Sequence, residues 1–426
     1  MDKQLIPIPE VECLKYHGTP ERPDIKIFVS HRVDFDSEIV SKPVYIPVRC
    51  GAAFSKNEYD TMLGDNTGDN ISNLNGEYCE LTAMYWAWKN IKADYYGLCH
   101  YRRYFCFGES QSEDIYGNVI CDYISSDEKQ RIAIENEEVI FQKIIGTDII
   151  LTTPTNVKND PLHPKNLYEQ YKNVRHLNVE DLETAVDVIR EHAPEYYDDA
   201  KAFLSGCTFY SCNMFIMSRT YFFKYCEWLF PLLEKIRSRI KSSEYSREAL
   251  RTIGHIAERM LGIFFIHELR VKKDLKYKVL QRAFFKNPQS LSFPTPWKEN
   301  NCIPVVFASS DYFAPYLAVT LYSMLKNSDK SFFYDLFILS TDISAIMKTN
   351  LQKMLKDYPH ARLRYIDMTP YVNNTKLVPN SHVSKETFYR LYVDEVFQHF
   401  DKIVYLDSDL IICADISKLY RAPLGG

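Results

Sequence analysis

The chain has 426 residues, of which 46% are hydrophobic and 25% charged, as is usual for a globular protein. Its formal net charge of -5 gives no electrostatic reason to expect a nucleic acid partner. The scattered cysteines lack C-x-x-C spacing, which indicates neither a zinc site nor a disulfide framework. The N-terminus lacks the apolar core of a signal peptide, and no apolar run has the length of a membrane span. We expect a cytoplasmic protein, and peripheral contact with a membrane stays open.

The first 300 residues predict a mixed α/β domain. Short apolar runs predict strands at residues 25–30, 44–48, 95–99, 148–152 and 212–217. Apolar residues at helical spacing predict helices over residues 77–90, 221–240 and 246–267. Asn75 is the predicted N-cap of the first of these helices.

A break follows at residues 287–304, where proline and asparagine cluster without periodicity, as in a linker. We therefore place the domain boundary near residue 300. The predicted domains are residues 1–290 and 303–426, joined by a linker over residues 291–302.

The second domain alternates strands and helices. Strands are predicted at 303–308, 335–339, 363–366 and 403–406, and helices at 314–326, 344–357 and 384–400. This alternation predicts a mostly parallel sheet with crossover helices, so we expect two Rossmann-like α/β domains. Ligands bind beyond the carboxyl ends of such strands, where polar residues stand at 309–311 and 407–409.

Two carboxylates follow the last predicted strand. Asp407 and Asp409 lie two residues apart, so both side chains can point the same way, while Ser408 points elsewhere. Two converging carboxylates repel each other unless a cation lies between them, and Mg²⁺ and Mn²⁺ prefer oxygen ligands. The pattern therefore indicates a metal site that could hold a diphosphate. A solvated turn without a metal is the alternative.

Three motifs in this domain resemble glycosyltransferase family 8. They are residues 303–311 with 314–317, residues 388–391 (Phe-Tyr-Arg-Leu) and residues 404–409 (Val-Tyr-Leu-Asp-Ser-Asp). The resemblance covers roughly residues 301–426, the first half of the family's domain, so we expect an incomplete nucleotide-sugar-binding domain of the GT-A type.

This resemblance implies that Asp407 and Asp409 hold Mn²⁺, or Mg²⁺, and that the donor is a UDP-sugar. It also implies a nucleotide pocket, lined by Ala308, Ser309, Asp311 and Ser408. Phe313 would stack on the uracil, while Ser310 and Tyr312 depart from the aspartate and asparagine that are common in the family. The family's third metal ligand lies further along its domain.

Arg390 would stand beside the diphosphate or the donor sugar, as the same resemblance implies. A structural role is the alternative, because Arg390 could pair with Asp394 four residues later in the predicted helix.

The first domain resembles a bacterial family of capsule and O-antigen loci, catalogued as domain of unknown function 4422. The resemblance covers roughly residues 24–285 and rests on residues 68–75, 77–90 and 96–104, with further fits at 213–217 and 256–261. It implies a sugar transferase that moves a hexose, in the pyranose or galactofuranose form.

His100, Arg102 and Arg103 directly follow a predicted strand, where an α/β sheet binds ligands. Arginine forks match phosphate oxygens, so these residues could clamp a diphosphate and are candidate catalytic residues. An arginine pair in a structural ion-pair network is the alternative.

The remaining candidates in the first domain are polar residues between 65 and 80. Asp65, Asp69 and Asn70 could bind a metal or sugar hydroxyls, although an Asx turn explains at least one of them. Glu80 is a candidate general base and Glu77 a structural residue at a helix N-terminus. We also expect Trp86 and Trp88 to lie in the core. Glu258 and Arg259 are expected to form a buried pair.

Together these patterns predict a cytoplasmic two-module glycosyltransferase. It would move a hexose from UDP-galactose or UDP-glucose to a growing surface polysaccharide or a lipid-linked saccharide at the inner membrane. The alternatives are an N-terminal enzyme with a C-terminal part that only binds nucleotide or serves as a scaffold, and a non-catalytic assembly module.

Overall fold

The computed structural model describes residues 6–33, 37–40, 42–54, 62–288, 294, 296, 301–372 and 384–423. The chain divides into two compact units, Met1–Ser290 and Leu291–Gly426. Most of the predicted linker over 291–302 lies outside the described residues. No helix within those described ranges is long and apolar enough to cross a membrane.

The first unit combines strands and helices. Its strands are β1 Ile25–Arg32, β2 Tyr45–Cys50, β3 Leu63–Gly64, β4 Tyr95–His100, β5 Arg103–Phe105, β6 Asn118–Tyr123, β7 Ile149–Thr152, β8 Thr155–Asn156, β9 Thr208–Phe209, β10 Phe215–Ser218, β11 Tyr277–Leu280 and β12 Arg282–Asn287. Its helices are α1 Asn75–Tyr78, α2 Leu81–Asn90, α3 Ser126–Arg131, α4 Glu137–Ile144, α5 Leu167–Lys172, α6 Val179–His192, α7 Tyr197–Ser205, α8 Arg219–Arg239 and α9 Thr252–Val271.

Ten of these strands form one mixed sheet in the described part of the unit, with the central order β11-β7-β10-β4-β1-β2-β3. β1 lies between β2 and β4 and runs parallel to both, with Ile27 opposite Tyr45 and Gly97. β10 is antiparallel to β4 and β7. The carboxyl ends of β1, β2 and β4 therefore meet at one edge of the sheet.

β1 is buried on both faces, which explains its uninterrupted apolar run. Phe28 packs in a cluster with Trp86 of α2 and the long helices α8 and α9. Ile27 and Val29 belong to a second cluster on the other face, which contains residues of β5, β6, β12 and α4.

The second unit is smaller. Its strands are β13 Cys302–Ala308, β14 Phe333–Ser340, β15 Ala361–Asp367 and β16 Val404–Leu406. Its helices are α10 Ala314–Lys326, α11 Ala345–Leu355, α12 Thr369–Val372, α13 Val393–Val396 and α14 Ser417–Arg421. The strands form a parallel sheet in the order β15-β14-β13-β16. The predicted α/β class with parallel sheets is confirmed.

The predicted helix over 384–400 is wrong. Lys385–Tyr392 forms a 3-10 helix, and only Val393–Val396 is α-helical. The 3-10 form aligns residues three apart, and it buries Glu386 and Tyr389 on the side that packs against the sheet.

The predicted helix over 77–90 is interrupted, because Cys79 has a φ of 51° between α1 and α2. Asn75 is not an N-cap and instead begins α1. Its amide nitrogen donates a hydrogen bond of 2.8 Å to the Cys79 carbonyl oxygen, which pairs a backbone group at this break.

A buried carboxylate links two strands of the second unit. Asp335 of β14 is fully buried, and its Oδ1 accepts a hydrogen bond of 2.7 Å from Arg362 Nε of β15. Arg364 of the same strand binds both carboxylate oxygens. Removing Asp335 would leave two partly buried guanidinium groups without this anion.

We expect Asp335→Ala to lower the free energy of unfolding of the second unit by about 3 kcal/mol, because breaking a buried ion pair strands its partners. Thermal and urea unfolding of the full chain measure the change. Asp357→Ala removes an exposed carboxylate of the same unit and should change stability little. An equal effect of both substitutions would contradict the importance of the Asp335 pairs.

Candidate functional site

The carboxyl ends of β13 and β16 lie side by side in the second unit. Phe307 stands opposite Leu406, so Ala308 and Asp407 follow next in the same register. The Ser408 hydroxyl donates a hydrogen bond to the Ala308 carbonyl oxygen. Ser408 is thereby turned inward and buried, while Asp407 and Asp409 on either side of it are exposed.

Arg390 reaches this carboxylate pair from the 3-10 helix. Its Nη2 donates a hydrogen bond of 2.7 Å to Asp407 Oδ1, and its Nε donates to the Thr387 carbonyl oxygen at 3.1 Å. The guanidinium also lies over the Tyr405 ring, 5.2 Å from its centroid. The alternative pairing with Asp394 is therefore wrong. The Arg390 guanidinium is the counter-ion of one of the two carboxylates.

The segment after β13 contributes a polar loop and an aromatic cluster. Ser309 is buried, and Asp311 Oδ1 accepts a hydrogen bond of 2.9 Å from the Ser344 backbone N–H. This bond lowers the pKa of the Asp311 carboxyl. Phe313 packs between Tyr312 and Tyr316, with ring centroids 5.4 and 5.7 Å apart. All three rings are exposed, so an aromatic surface borders the loop.

A buried threonine, which is not among the residues predicted from the sequence, holds the carboxylate segment in place. Thr320 of α10 donates its hydroxyl toward the carbonyl oxygens of Ser408 and Leu410, each at 2.8 Å, and accepts from the Leu410 N–H at 2.9 Å. One turn later, Ser323 accepts from the Ile412 N–H at 2.9 Å. The only sequence signal is a pair of hydroxyl residues three apart on an otherwise apolar helix.

His100 ends β4 at the equivalent edge of the first unit. Its Nε2 faces the Cys212 carbonyl oxygen, so this nitrogen must carry the proton, and its Nδ1 lies 3.3 Å from the Ser30 hydroxyl. Burial, assisted by the charge of Arg103, lowers the pKa of His100. Both ring nitrogens thus have hydrogen-bond partners, and the neutral side chain is held in place at this edge of the sheet.

Arg102 and Arg103 follow His100 and stack on one aromatic ring. Their guanidinium carbons lie 4.4 and 5.0 Å from the Phe284 ring centroid. Both Nε atoms are buried without a hydrogen-bond partner, and neither side chain forms an ion pair with any described residue. Among those residues, the structural ion-pair network that the sequence left open is not found.

A cavity of about 380 Å³ opens beside Arg103 and Phe284. The second arginine that lines this cavity, Arg282, has a structural role. It donates hydrogen bonds to Asn118 Oδ1 at 2.8 Å and to the Tyr116 carbonyl oxygen at 2.7 Å. Arg103 is therefore the cation of this cavity whose hydrogen-bonding capacity is not used within the described residues.

A strained backbone supports this edge. Cys212 and Asn213 have φ values of 74° and 50°, and Asn213 Nδ2 donates to Glu80 Oε1 at 2.7 Å and to the Gly254 carbonyl oxygen at 3.2 Å. Glu80 itself follows the strained Cys79. Residues other than glycine that adopt a positive φ cost conformational free energy, and clusters of them are common at functional sites.

Other candidates of the first unit have structural partners. Asp65 is buried and accepts from the N–H groups of Gly51 and Ala52 at 2.9 and 3.0 Å. Asn70 forms an Asx turn with the Ser72 N–H at 3.2 Å. The Asp69 backbone exchanges two hydrogen bonds with the Asn90 side chain at the C-terminal end of α2, and Asp69 Oδ1 accepts from the Tyr85 hydroxyl at 3.3 Å. Glu80 precedes the same helix.

The expected structural residues also have clear partners. Glu77 binds Arg237 through two hydrogen bonds of 2.8 and 3.0 Å. Trp86 is fully buried, whereas Trp88 is partly buried and stacks on Phe230. Arg259 is buried and pairs with Glu258 at 3.1 Å.

Comparison with known families assigns both units. A family described as "Domain of unknown function (DUF4422)" matches residues 26–269, more than half of the chain. The chain belongs to the DUF4422 family. Glycosyl transferase family 8 matches residues 304–426 of this DUF4422 member, and both resemblances expected from the sequence are confirmed.

The apo structure of WbbM, named as a bifunctional glycosyltransferase, is 35% identical to this chain and has a TM-score of 0.59. The match covers 94% of this chain and 69% of WbbM. This similarity supports the GT-A type of the fold and assigns the DUF4422 member to the glycosyltransferases.

Shorter matches cover about a third of the chain. A Haemophilus influenzae protein whose name places it among the glycosyltransferases is 25% identical over 122 residues, 28% of this chain and 36% of that protein. Glycosyltransferase 8 domain-containing protein 2 of Bos taurus is 24% identical over 151 residues, 34% of this chain and 42% of that protein. The chain spans less than half the length of the curated relatives it matches.

The sequence predicts that Asp407 and Asp409 hold Mn²⁺ for a UDP-sugar. On that prediction, Thr320→Val should weaken Mn²⁺-dependent UDP binding roughly tenfold, because the Leu410 N–H and the Ser408 carbonyl lose their partner. Thr320→Ser keeps the hydroxyl and should stay close to the wild type. Calorimetric titration of the full chain measures both. Equal affinities for the valine and serine variants would show that this hydroxyl does not position the carboxylates.

We expect the first unit to lose stability as the pH falls below about 6.5, the ordinary histidine pKa. Burial of His31, with the charge of Arg49, lowers its folded-state pKa to about 3. Between these values the unfolded chain binds more protons, so acid favours unfolding by at most about 1.4 kcal/mol per pH unit. Thermal unfolding between about pH 7 and pH 5 should show a shallower pH slope for His31→Gln than for the wild type. An unchanged slope would contradict this origin.

Proposed function

We propose that this chain is a two-module glycosyltransferase in which each unit binds a nucleotide sugar. The hexose would be added to a growing bacterial surface polysaccharide or a lipid-linked oligosaccharide. The observation that carries the proposal is the edge of the second unit, where Asp407, Asp409 and Arg390 lie next to the loop that begins at Ala308. The name of WbbM, a bifunctional enzyme similar over most of this chain, supports two activities.

The donor of the second unit is a UDP-hexose, such as UDP-galactose or UDP-glucose. Phe313, flanked by two exposed tyrosines, offers a flat face on which the base can stack. Ser309 and Asp311 border the same loop and would contact the nucleoside. The aromatic surface and the carboxylates would thus bind opposite ends of one ligand.

The exposed oxygens of Asp407 and Asp409 fit a hard divalent cation, and a guanidinium group already acts as a counter-ion there. Mn²⁺ or Mg²⁺, when bound, supplies positive charge to the diphosphate as it leaves. Arg390 would remain near the phosphates and add a fixed cation to the site.

In the transfer, the bond between the anomeric carbon and the diphosphate oxygen breaks, and UDP leaves with the electron pair. The oxygen of an acceptor hydroxyl bonds to the same carbon, and its proton passes to a base or to solvent. A lipid-linked acceptor would bring this cytoplasmic protein into contact with the inner membrane surface.

We expect the double variant Asp407→Asn, Asp409→Asn to lose Mn²⁺-dependent hexose transfer by the second unit at least about a hundredfold, because charge stabilisation of the leaving group contributes several kcal/mol. Transfer from radiolabelled UDP-hexoses to lipid-linked acceptors measures this in the full chain. Asp394→Asn, which removes an exposed carboxylate nearby, is the matched control.

If the double variant transfers hexose from every accepted donor as fast as the wild type, the second unit is not a catalyst. Retained Mn²⁺-dependent UDP binding by the wild type would then indicate a nucleotide-binding scaffold. If the wild type transfers no hexose from any donor, the proposed function itself is wrong.

A further inference from the structure

The central strands of the two sheets, β1 and β13, have the same arrangement of neighbouring strands. In the first unit, β1 lies between β2 and β4, and all three run parallel. In the second unit, β13 lies between β14 and β16, again all parallel. β1 therefore lies beside β4, and β13 lies beside β16. A charged segment directly follows β4 in the first unit and β16 in the second.

The registers of these strand pairs also coincide. Ser30 stands opposite His100, and Ala308 reaches Asp407 one step beyond the Phe307–Leu406 pair. The following residue contacts the same carbonyl in both units, since the Tyr101 N–H donates to the Ser30 oxygen at 2.9 Å and the Ser408 hydroxyl donates to the Ala308 oxygen. His100, Tyr101 and Arg102 thus occupy the positions of Asp407, Ser408 and Asp409.

The chemistry at these equivalent positions has the opposite sign. The second unit presents two carboxylates, which bind hard cations. The first unit presents a histidine whose nitrogens are engaged and then Arg102, followed by Arg103. Guanidinium groups cannot ligate a metal ion, but they bind phosphate oxygens directly and often through two parallel hydrogen bonds.

We propose that the first unit binds the diphosphate of its nucleotide sugar directly on Arg102 and Arg103, with no metal ion between protein and phosphate. The inference rests on the proposed function and adds that the two modules neutralise the same leaving group by different means. The second unit does so through a cation held by carboxylates. The first does so through two fixed guanidinium groups.

The packing around the two arginines supports this assignment. Both guanidinium groups pack against the Phe284 ring, and such packing restrains the side chains and reduces the entropy lost when phosphate binds. Their Nε atoms have no described partner, although an arginine with a structural role would have carboxylate or carbonyl partners, as Arg282 has. The adjoining cavity of about 380 Å³ has room for a sugar ring beside the phosphates.

The test uses the full chain with Asp407→Asn and Asp409→Asn, so that the second unit no longer holds a metal. Calorimetry with UDP, and with inorganic pyrophosphate as a probe that lacks a base, is carried out in Mn²⁺ and in excess EDTA. We expect binding that changes less than about twofold on chelation and that weakens with added salt.

Adding Arg102→Gln and Arg103→Gln should weaken this binding at least about tenfold, because hydrogen bonds to charged groups are lost. Arg102→Lys keeps the charge and should retain part of the affinity. Arg239→Gln removes an exposed arginine of the same unit and is the matched control. Circular dichroism and thermal unfolding show whether each variant is folded.

Three results would overturn the inference: residual binding that requires Mn²⁺, binding unaffected by loss of both arginines, or no binding of either probe. In the first two cases the first unit still binds a nucleotide, so the proposed function would survive. If neither probe binds, the nucleotide site proposed for the first unit is wrong as well, and only transfer by the second unit would remain of the proposed function. Absence of any transfer by the wild type would instead refute the proposed function.

Discussion

Both candidate sites depend on one constraint, the parallel register between the first strand of each sheet and the strand beside it. Parallel strands end at a common edge, so this register determines which side chains meet there. It brings Ala308 beside Asp407 and Ser30 beside His100. Both faces of β1 and β13 are buried, and this keeps the register from slipping, because a shift of one residue would turn every side chain toward the opposite face and disrupt the packing on both sides.

The charged segments are then held by buried polar groups rather than by their own side chains. In the second unit the hydroxyl of Thr320 pairs with the backbone of Ser408 and Leu410. In the first unit His100 binds the backbone carbonyl of Cys212, and Asn213 binds the Glu80 carboxylate and the Gly254 carbonyl oxygen. Arg102, Arg103 and Asp409 are left available for ligand, as a preorganised site requires, while Asp407 is paired with Arg390.

The sequence predicted the four strands of the second unit, five strands of the first unit and the carboxylate pair, because apolar runs and polar residues at their ends are local signals. It failed where structure depends on distant partners. The helix over 384–400 was wrong because packing of Tyr389 against the sheet favoured the 3-10 form. The role of Thr320 could not be predicted from the sequence, because its backbone partners lie almost ninety residues away. Residue roles at both edges stay predictions, and the contrast between Arg102 and Asp409 became visible only once strand order and register were known.

The most direct measurement is the stoichiometry of UDP binding to the wild-type full chain by calorimetry, first with Mn²⁺ and then with excess EDTA. We expect two molecules of UDP per chain in Mn²⁺ and one in EDTA, because only the carboxylate site depends on the metal. Loss of all binding on chelation, or a single site under both conditions, would contradict two nucleotide sites of opposite charge.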